Sequence, residues 1–398
     1  MNSNSLVDWL EYINLNRSEE SKFGLKRLEP IKNIILDSPI AKQVVVIGGT
    51  NGKGTTAEFL NNLLLQSDFK VGLYTSPHLF NFNERIRING LPVSDLDIIN
   101  AFREIEEIKG DVRLTYFDYA TIAAFILFKK NSIDVAILEI GLGGRYDPVN
   151  LLDSDISILT NVELDHQKWL GNTREEIGEE KSAIFREGKT IIMGAAEMPE
   201  TVLQKAKGLN SKTLQLGLDF FVDEINTNNL NKESAACSVA AYKEITDKQI
   251  NYKEILENTS LLGRCDVKGK FILDVSHNLA SVQNLVSFIN KECKGKSIKA
   301  IVGLMQDKDI IGIIKVIKDV ISEWYACSPD IDRAMPSADL KELILQETLN
   351  KAEAFKSVDL AVKEAVKADS TDIVIVFGSF FTVSEAYESL SKLKQIDL

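Results

Sequence analysis

The feature that most constrains this 398-residue sequence is a junction near its start. A β-branched run, Gln43–Gly48, leads into Gly48-Gly49-Thr50-Asn51-Gly52-Lys53-Gly54-Thr55-Thr56, and helical periodicity follows over Thr55–Leu65. A strand feeding a helix through a glycine-rich turn calls for a parallel sheet, because the helix must cross back over it. The same turn builds an anion site. Glycines let backbone N–H groups approach phosphate oxygens, and the helix N-terminus adds its positive end. Lys53 is spaced to reach β- and γ-phosphates, with Thr55 or Thr56 near a metal. The common phosphate-loop pattern has Ser or Thr directly after Gly-Lys, whereas here Gly54 intervenes.

The rest of the chain repeats the alternation. Strand-length apolar runs at Val71–Tyr74, Asp134–Glu139, Asp155–Thr160 and Thr190–Met193 are interleaved with helical patterns at Tyr119–Phe128 and Arg174–Phe185. Runs that are apolar throughout mark strands covered on both faces. Gly208–Asn229 is polar with some alternation and reads as a small antiparallel excursion, before helices at Ser234–Ile245 and Tyr252–Asn258. The alternation then restarts. Strands are expected at Phe271–Asp274, Ile298–Gly303, Trp324–Ala326 and Asp372–Phe377, and helices at Ser281–Asn290, Ile310–Val320, Ala338–Leu345, Val358–Val366 and Ser384–Leu393. The predicted fold class is α/β. A P-loop domain with a mostly parallel sheet spans 1–262, and a smaller C-terminal Rossmann-like α/β domain spans 263–398.

Lys and Arg number 46 against 58 Asp and Glu, a net charge of −12, which argues against a protein held on nucleic acid by phosphate contacts. Cys237, Cys265, Cys293 and Cys327 show no C-x-x-C spacing and read as reduced thiols of a cytoplasmic protein. The N-terminal stretch is polar and acidic, without a signal-like apolar core, and nothing approaches the ~18 apolar residues of a membrane helix. Small-molecule substrates are therefore expected, with neither nucleic acid nor membrane as partner.

Several residues carry chemistry by position. His78, His166 and His277 each follow a predicted strand end, the edge where open α/β sheets bind ligands. Glu139 ends a strand and precedes Gly141-Leu142-Gly143-Gly144-Arg145, the place of a Walker-B-type Mg²⁺ carboxylate. Lys181, beside Glu179 and Glu180, reads from composition as part of a solvated, ion-paired helix face. Arg264, at the domain junction, could stabilise transferring charge, and Asp274, at a strand end, could hold a ribose hydroxyl. Gly378-Ser379-Phe380 is a strand-end turn with no assignable role.

Taken together, these motifs resemble the folylpolyglutamate synthase/dihydrofolate synthase family, the folate branch of the Mur ligase superfamily. The resemblance rests on GTNGKGT (49–55), TSPHL (75–79) followed by Glu84-Arg85, LTYFDY (114–119), LEIGLGGRYD (138–147), LDH…LG (164–171), EEKSAIF (179–185), GR (263–264), DVSHN (274–278) and GSFFTV (378–383), in order along nearly the whole chain. It implies an N-terminal domain of the Mur ligase central type and an ATP-dependent amide ligase. Such an enzyme adds L-glutamate to dihydropteroate, to reduced folates or to both, through an acyl phosphate. It also implies site roles. Asn51, Gly52, Lys53, Gly54, Thr55, Thr56, Ser234, Arg264 and Asp274 would bind ATP, with His277 near the phosphates. Thr55, Ser76, Glu139 and His166 would hold Mg²⁺ together with Lys181, which the family carbamylates. Phe23, Thr115, Phe117, Asp118 and Asp147 would line the folate side, and a monomer is expected. Lys53, His166, Lys181, Arg264 and His277 form the implied catalytic set. The sequence departs from the family pattern at Asp118 (usually Glu), Pro148-Val149 (Ala-Thr), Leu262 (Pro) and Ser234 (Asn). A P-loop switch ATPase would use Lys53 and Glu139 but leave Arg264 and Asp274 idle, and a non-catalytic scaffold would need none of them. A cell-wall Mur ligase needs an N-terminal nucleotide-sugar domain, for which Met1–Lys42 gives no room.

Overall fold

The computed structural model describes residues 3, 5–16, 24–222, 225, 227, 230–367 and 372–397; Phe23, a folate-side candidate, lies outside them. The chain divides into two compact units, Met1–Thr259 and Ser260–Leu398.

The first unit holds eight strands: β1 (Ala41–Gly48), β2 (Val71–Tyr74), β3 (Ile86–Ile88), β4 (Leu91–Pro92), β5 (Ile133–Glu139), β6 (Ile156–Leu159), β7 (Thr190–Met193) and β8 (Thr213–Gln215). They lie in the order β4-β3-β2-β5-β1-β6-β7-β8, parallel except for the antiparallel pairings β2–β3 and β3–β4. Helices Lys53–Leu65, Tyr116–Lys130 and Lys232–Ile245 pack on it through side chains such as Phe59, Phe125 and Phe128, which are almost wholly buried. The sheet interior is mostly Val, Ile, Leu and Ala because both faces are covered; β5 runs Ile-Asp-Val-Ala-Ile-Leu-Glu with its last five residues buried. The sheet order sets the carboxyl ends of β2, β5, β1 and β6 side by side, so residues distant in sequence meet at one edge.

The expectation of an antiparallel excursion in 208–229 is corrected: β8 pairs parallel to β7, with Ile191 opposite Thr213. Alternation there marks a half-buried edge strand, and a periodicity of two carries no information about strand direction. The helix expected over Arg174–Phe185 ends at Lys181 and continues as a single 3₁₀ turn, Ser182–Ile184.

The second unit has β9 (Asp266–Lys268), β10 (Phe271–Leu273), β11 (Ile298–Val302), β12 (Glu323–Cys327), β13 (Lys351–Phe355) and β14 (Ile373–Phe377), in the order β13-β12-β11-β14-β10-β9. All pairings are parallel except β9–β10. A core around Trp324, Phe377, Ile314 and Leu285 fills the space between sheet and helices. Among the described residues, no helix is long and apolar enough to cross a membrane.

Candidate active site

The phosphate-loop sequence forms a fixed structure before any ligand is considered. Gly49 sits at φ +137°, and a Cβ there would lie 1.9 Å from Thr160 Oγ1, so only glycine fits. Thr160 Oγ1 donates to the Asn51 carbonyl at 2.7 Å. The side chain of Asn161 accepts from Asn51 N at 2.9 Å and donates to Asn51 O at 3.2 Å. Thr50 Oγ1 donates to Glu163 O at 3.2 Å and accepts from Glu163 N at 3.0 Å. The exit of β6 therefore clamps the loop. Gly52, in the left-handed region, caps the helix that begins at Lys53. Ser234, near the start of the helix Lys232–Ile245, donates its hydroxyl to the Gly52 carbonyl at 3.3 Å. Ser238 holds Thr56 O at 2.9 Å, while Thr56 Oγ1 is buried without a hydrogen-bond partner.

Two lysines converge on one carbonyl of this loop. Lys53 Nζ donates to Gly49 O at 3.1 Å and Thr50 O at 3.2 Å, and Lys181 Nζ donates to Gly49 O at 2.9 Å. Lys181 is 4% exposed, so the solvated-face reading of it is corrected; Arg145 takes Glu179 and Glu180 instead, at 3.1 and 2.7 Å. Burial, reinforced by the neighbouring Lys53 charge, pushes the Lys181 amine down to about 7, against an opposing pull from Asp165. Gly144 lets the two segments close: a Cβ there would fall 2.8 Å from the carbonyls of both Glu180 and Lys181.

Glu139, at the end of β5, is buried and accepts from Ser76 N at 3.1 Å. Its carboxylate faces Gly54, whose ideal Cβ would be 3.6 Å away, beside the buried Thr55 in the first helical turn. His166 is 38% exposed in the left-handed region, and its ring lies 3.9 Å from the mostly buried Asp165 carboxylate. His78 accepts from Arg85 Nε at 2.7 Å, and burial with the Arg85 charge pushes the imidazole down to about 4. It is therefore neutral at physiological pH.

Of the described folate-side candidates, Thr115, Phe117 and Asp118 lie at the start of one helix, and Asp147 lies in the segment after β5. Thr115 and Asp118 form the capping box of the helix Tyr116–Lys130: Thr115 N donates to Asp118 Oδ2 at 2.7 Å and Asp118 N to Thr115 Oγ1 at 3.0 Å. Asp118, 1% exposed, also pairs with Arg27 at 2.8 Å. The Phe117 ring lies against Gly141, at 6.0 Å from the Tyr74 ring centroid. Asp147 accepts from Gly141 N, Leu142 N and Val149 N at 2.9–3.0 Å. Burial outweighs these bonds and pushes its carboxyl up to about 7.

Arg264, Asp274 and His277 belong to the second unit. Asp274 Oδ2 accepts from Cys265 N at 2.8 Å. His277 Nδ1 faces the Val275 carbonyl at 2.8 Å and so carries the proton in the neutral ring, leaving Nε2 as an acceptor. The Arg264 guanidinium lies 5.2 Å from the Phe380 ring centroid.

Residues 47–268 match the Mur ligase middle domain and residues 263–380 the Mur ligase glutamate ligase domain. The dihydrofolate synthase/folylpolyglutamate synthase of Escherichia coli K12 is 35% identical over 407 residues, covering 96% of this chain and 95% of its own. The chain belongs to the dihydrofolate synthase/folylpolyglutamate synthase branch of the Mur ligase family. Two solved structures from this family agree with its fold. E. coli FolC in complex with DHPP and ADP has a TM-score of 0.93 at 32% identity, covering 98% of this chain and 99% of that one. The Yersinia pestis bifunctional enzyme complexed with AMPPNP and Mn ion has a TM-score of 0.90 at 32% identity, with 98% of both chains covered.

The first unit fits a nucleotide with a hard divalent ion. Among the described residues, no three His, Cys, Asp or Glu side chains gather as a metal cage. That suits Mg²⁺, which takes one or two protein oxygens and fills the rest with water and phosphate. Glu139, beside the N-terminal turn that carries Thr55, offers that donor chemistry. Sequence reasoning passed over Thr160 and Asn161. Their only signal was polar residues just past a strand end, and their relevance depends on β6 lying next to β1.

Proposed function

We propose that this chain joins L-glutamate to dihydropteroate and to reduced folates, with ATP hydrolysed to ADP and phosphate. The observation that carries this reading is the clamped phosphate loop, with Lys53 and Lys181 on one carbonyl and Glu139 facing its helix. It lies in a chain that follows the bifunctional E. coli relative over 96% of its length. That relative is named for both activities, which favours the bifunctional reading over folylpolyglutamate synthesis alone.

A carboxylate is a poor electrophile, so it must first be activated. Its oxygen attacks the γ-phosphorus, the bond to the ADP oxygen breaks, and an acyl phosphate forms. The neutral glutamate amine then attacks the acyl carbon and loses a proton, and phosphate leaves as the C–O bond breaks. The protein's share is positioning and charge compensation. Asn51, Gly52, Gly54, Thr55 and Thr56 present the loop's polar groups to the phosphates, and Lys53 compensates their charge. Ser76, Glu139 and His166 would hold Mg²⁺ together with Thr55 and a carbamylated Lys181; the ion would draw negative charge off the phosphate oxygens.

The Lys181 environment supports carbamylation. A buried amine that is half neutral near pH 7 is a competent nucleophile for CO₂, and carbamylation would turn the repulsion from Lys53 into attraction. Phe23, Thr115, Phe117, Asp118 and Asp147 are assigned to the pterin side. Ser234 is assigned to the nucleotide side, where its bond to Gly52 O makes it a support of the phosphate loop. Arg264, Asp274 and His277 keep the nucleotide roles of the family pattern. Four free cysteines fit a reducing compartment such as the cytoplasm, and a monomer is what the family resemblance implies.

The test is ADP release with Mg²⁺-ATP and glutamate, using dihydropteroate in one assay and tetrahydrofolate in another. Turnover with both is expected. Turnover that ignores glutamate would overturn the reading in favour of a switch ATPase.

A further inference from the structure

Lys181 is the last residue of the helix Arg174–Lys181, and the chain tightens into the 3₁₀ turn Ser182–Ile184 directly after it. Helix ends fray, and successive helical residues point about 100° apart. Here Glu179 and Glu180 meet Arg145, while Lys181 reaches Gly49 O. A slip of one residue at this helix end would carry the amine off the phosphate loop and set it against Arg145. The amine stays on the loop only while the register of the helix end is held.

The segment after β5 holds it. The last carbonyls of a helix have no partner within it. Arg145 N donates to one of them, Glu180 O, at 3.1 Å. The Arg145 guanidinium then spans both acids, with Nε on Glu180 Oε1 at 2.7 Å and Nη2 on Glu179 Oε1 at 3.1 Å. A cation in this place also suits the negative end of the helix. Further along, Asn150 Nδ2 donates to Ala183 O at 3.2 Å, and Arg186 Nη2 to Asn150 Oδ1 at 2.8 Å. These later bonds fasten the 3₁₀ turn and the chain beyond it. The Arg145 side chain alone among these contacts selects by residue type: it takes the carboxylates of 179 and 180 and repels an ammonium at 181.

We propose that Arg145 is a positioning residue for Lys181: by binding Glu179 and Glu180 it locks the register of the helix end, so that the lysine alone is aimed at the phosphate loop. Arg145 acts through Lys181 and not on a substrate. This rests on the reading of Lys181 as part of the nucleotide and Mg²⁺ site.

ADP release with Mg²⁺-ATP, glutamate and dihydropteroate is the first test. Arg145→Gln should lower kcat about tenfold and leave the KM of ATP and of dihydropteroate within about twofold. Arg145→Lys, which keeps a cation for the two acids, should stay within about threefold of wild type. In a Lys181→Met background, Arg145→Gln should cost nothing further, because the two residues act as one. Losses that multiply, a raised dihydropteroate KM at unchanged kcat, or an Arg145→Lys variant as slow as Arg145→Gln would each overturn the proposal.

Limited trypsin digestion with peptide mapping supplies a readout that needs no turnover. Trypsin cuts after Lys181 only when that side chain leaves the phosphate loop. Cleavage there should speed up at least about fivefold in Arg145→Gln, while cleavage after the exposed Lys207 stays at the wild-type rate. The unfolding midpoint should hardly move, since the Arg145 side chain is 35% exposed and ion pairs so placed add little to global stability. An unchanged rate after Lys181, or one that rises only together with Lys207 and a falling midpoint, would overturn the proposal. If wild-type protein releases no ADP, the ligase reading fails, and the trypsin result still judges the register lock. Should Arg145→Gln not fold, Glu180→Gln, which removes the nearer carboxylate and keeps its shape, takes its place in both experiments.

Discussion

Replacing Lys181 with methionine removes a buried ammonium and keeps an unbranched side chain of similar length. The folded protein pushes this amine from 10.5 down to about 7, so below pH 7 the protein carries the full penalty of burying it. The unfolded chain binds the proton more tightly, so stability rises with pH until the amine is neutral in both states. Worked from those two values, Lys181 penalises the fold by about 4 kcal/mol at pH 7 and about 1.5 kcal/mol at pH 9.5. Raising the pH across that interval should therefore stabilise wild type relative to Lys181→Met by about 3 kcal/mol. The assay is urea unfolding of both proteins at the two pH values in CO₂-free buffer, with equal m-values required. Bicarbonate at pH 7 should stabilise wild type and leave Lys181→Met unmoved, and the variant should lose ADP release by ~10²-fold or more. If the wild-type and Lys181→Met curves shift in parallel with pH, the amine is not held neutral in the fold, and the carbamylation argument loses its foundation.

Gly49→Ala sets a methyl 1.9 Å from Thr160 Oγ1 at a φ hostile to alanine, so it should cost about 2 kcal/mol or more and weaken ADP binding, as calorimetry would show. Lys53→Ala should reduce turnover by ~10²-fold or more while the unfolding midpoint stays near wild type; near-normal rates would refute its phosphate role. Thr115→Ala removes the cap of the helix Tyr116–Lys130 and should destabilise by about 1 kcal/mol in denaturant melts. The Asp147 carboxyl is pushed up from 3.8 to about 7, so its folded form holds a proton that the unfolded chain has already lost. Its contribution to stability therefore falls as pH rises from 4 to 7, by about 3 kcal/mol, and Asp147→Asn should remove that slope.

Much of the fold was legible because short β-branched apolar runs bounded by turns fit strands buried on both faces, whereas helices run longer. β1, β5 and β14 are apolar runs bounded by turns, and the Gly48–Thr56 junction fixed how β1 connects to its helix. Strands at and next to the sheet edges were not legible. β13, Lys-Ala-Glu-Ala-Phe, is partly exposed and alternates charge with alanine, and β3 and β4 are three and two residues long. In the site, residues that touch a ligand-shaped backbone announced themselves through glycine and lysine. Thr160 and Asn161 did not, because only strand order shows that the residues after β6 meet the residues after β1. Lys181 was misjudged from composition for a related reason. Its acidic neighbours point to Arg145, and the helix turns the lysine alone towards the loop.

Thr115 and Asp118 close the first turn of a long buried helix, and the same two side chains are assigned to the pterin. Evolutionary drift in substrate preference at these positions would thus be coupled to folding yield. A variant that accepts a different pterin by altering Asp118 also loosens Arg27 and unwinds a helix start. Lineages changing selectivity here should carry compensating replacements elsewhere in the Tyr116–Lys130 packing, and laboratory selections for new pterin substrates should recover such pairs more often than single changes.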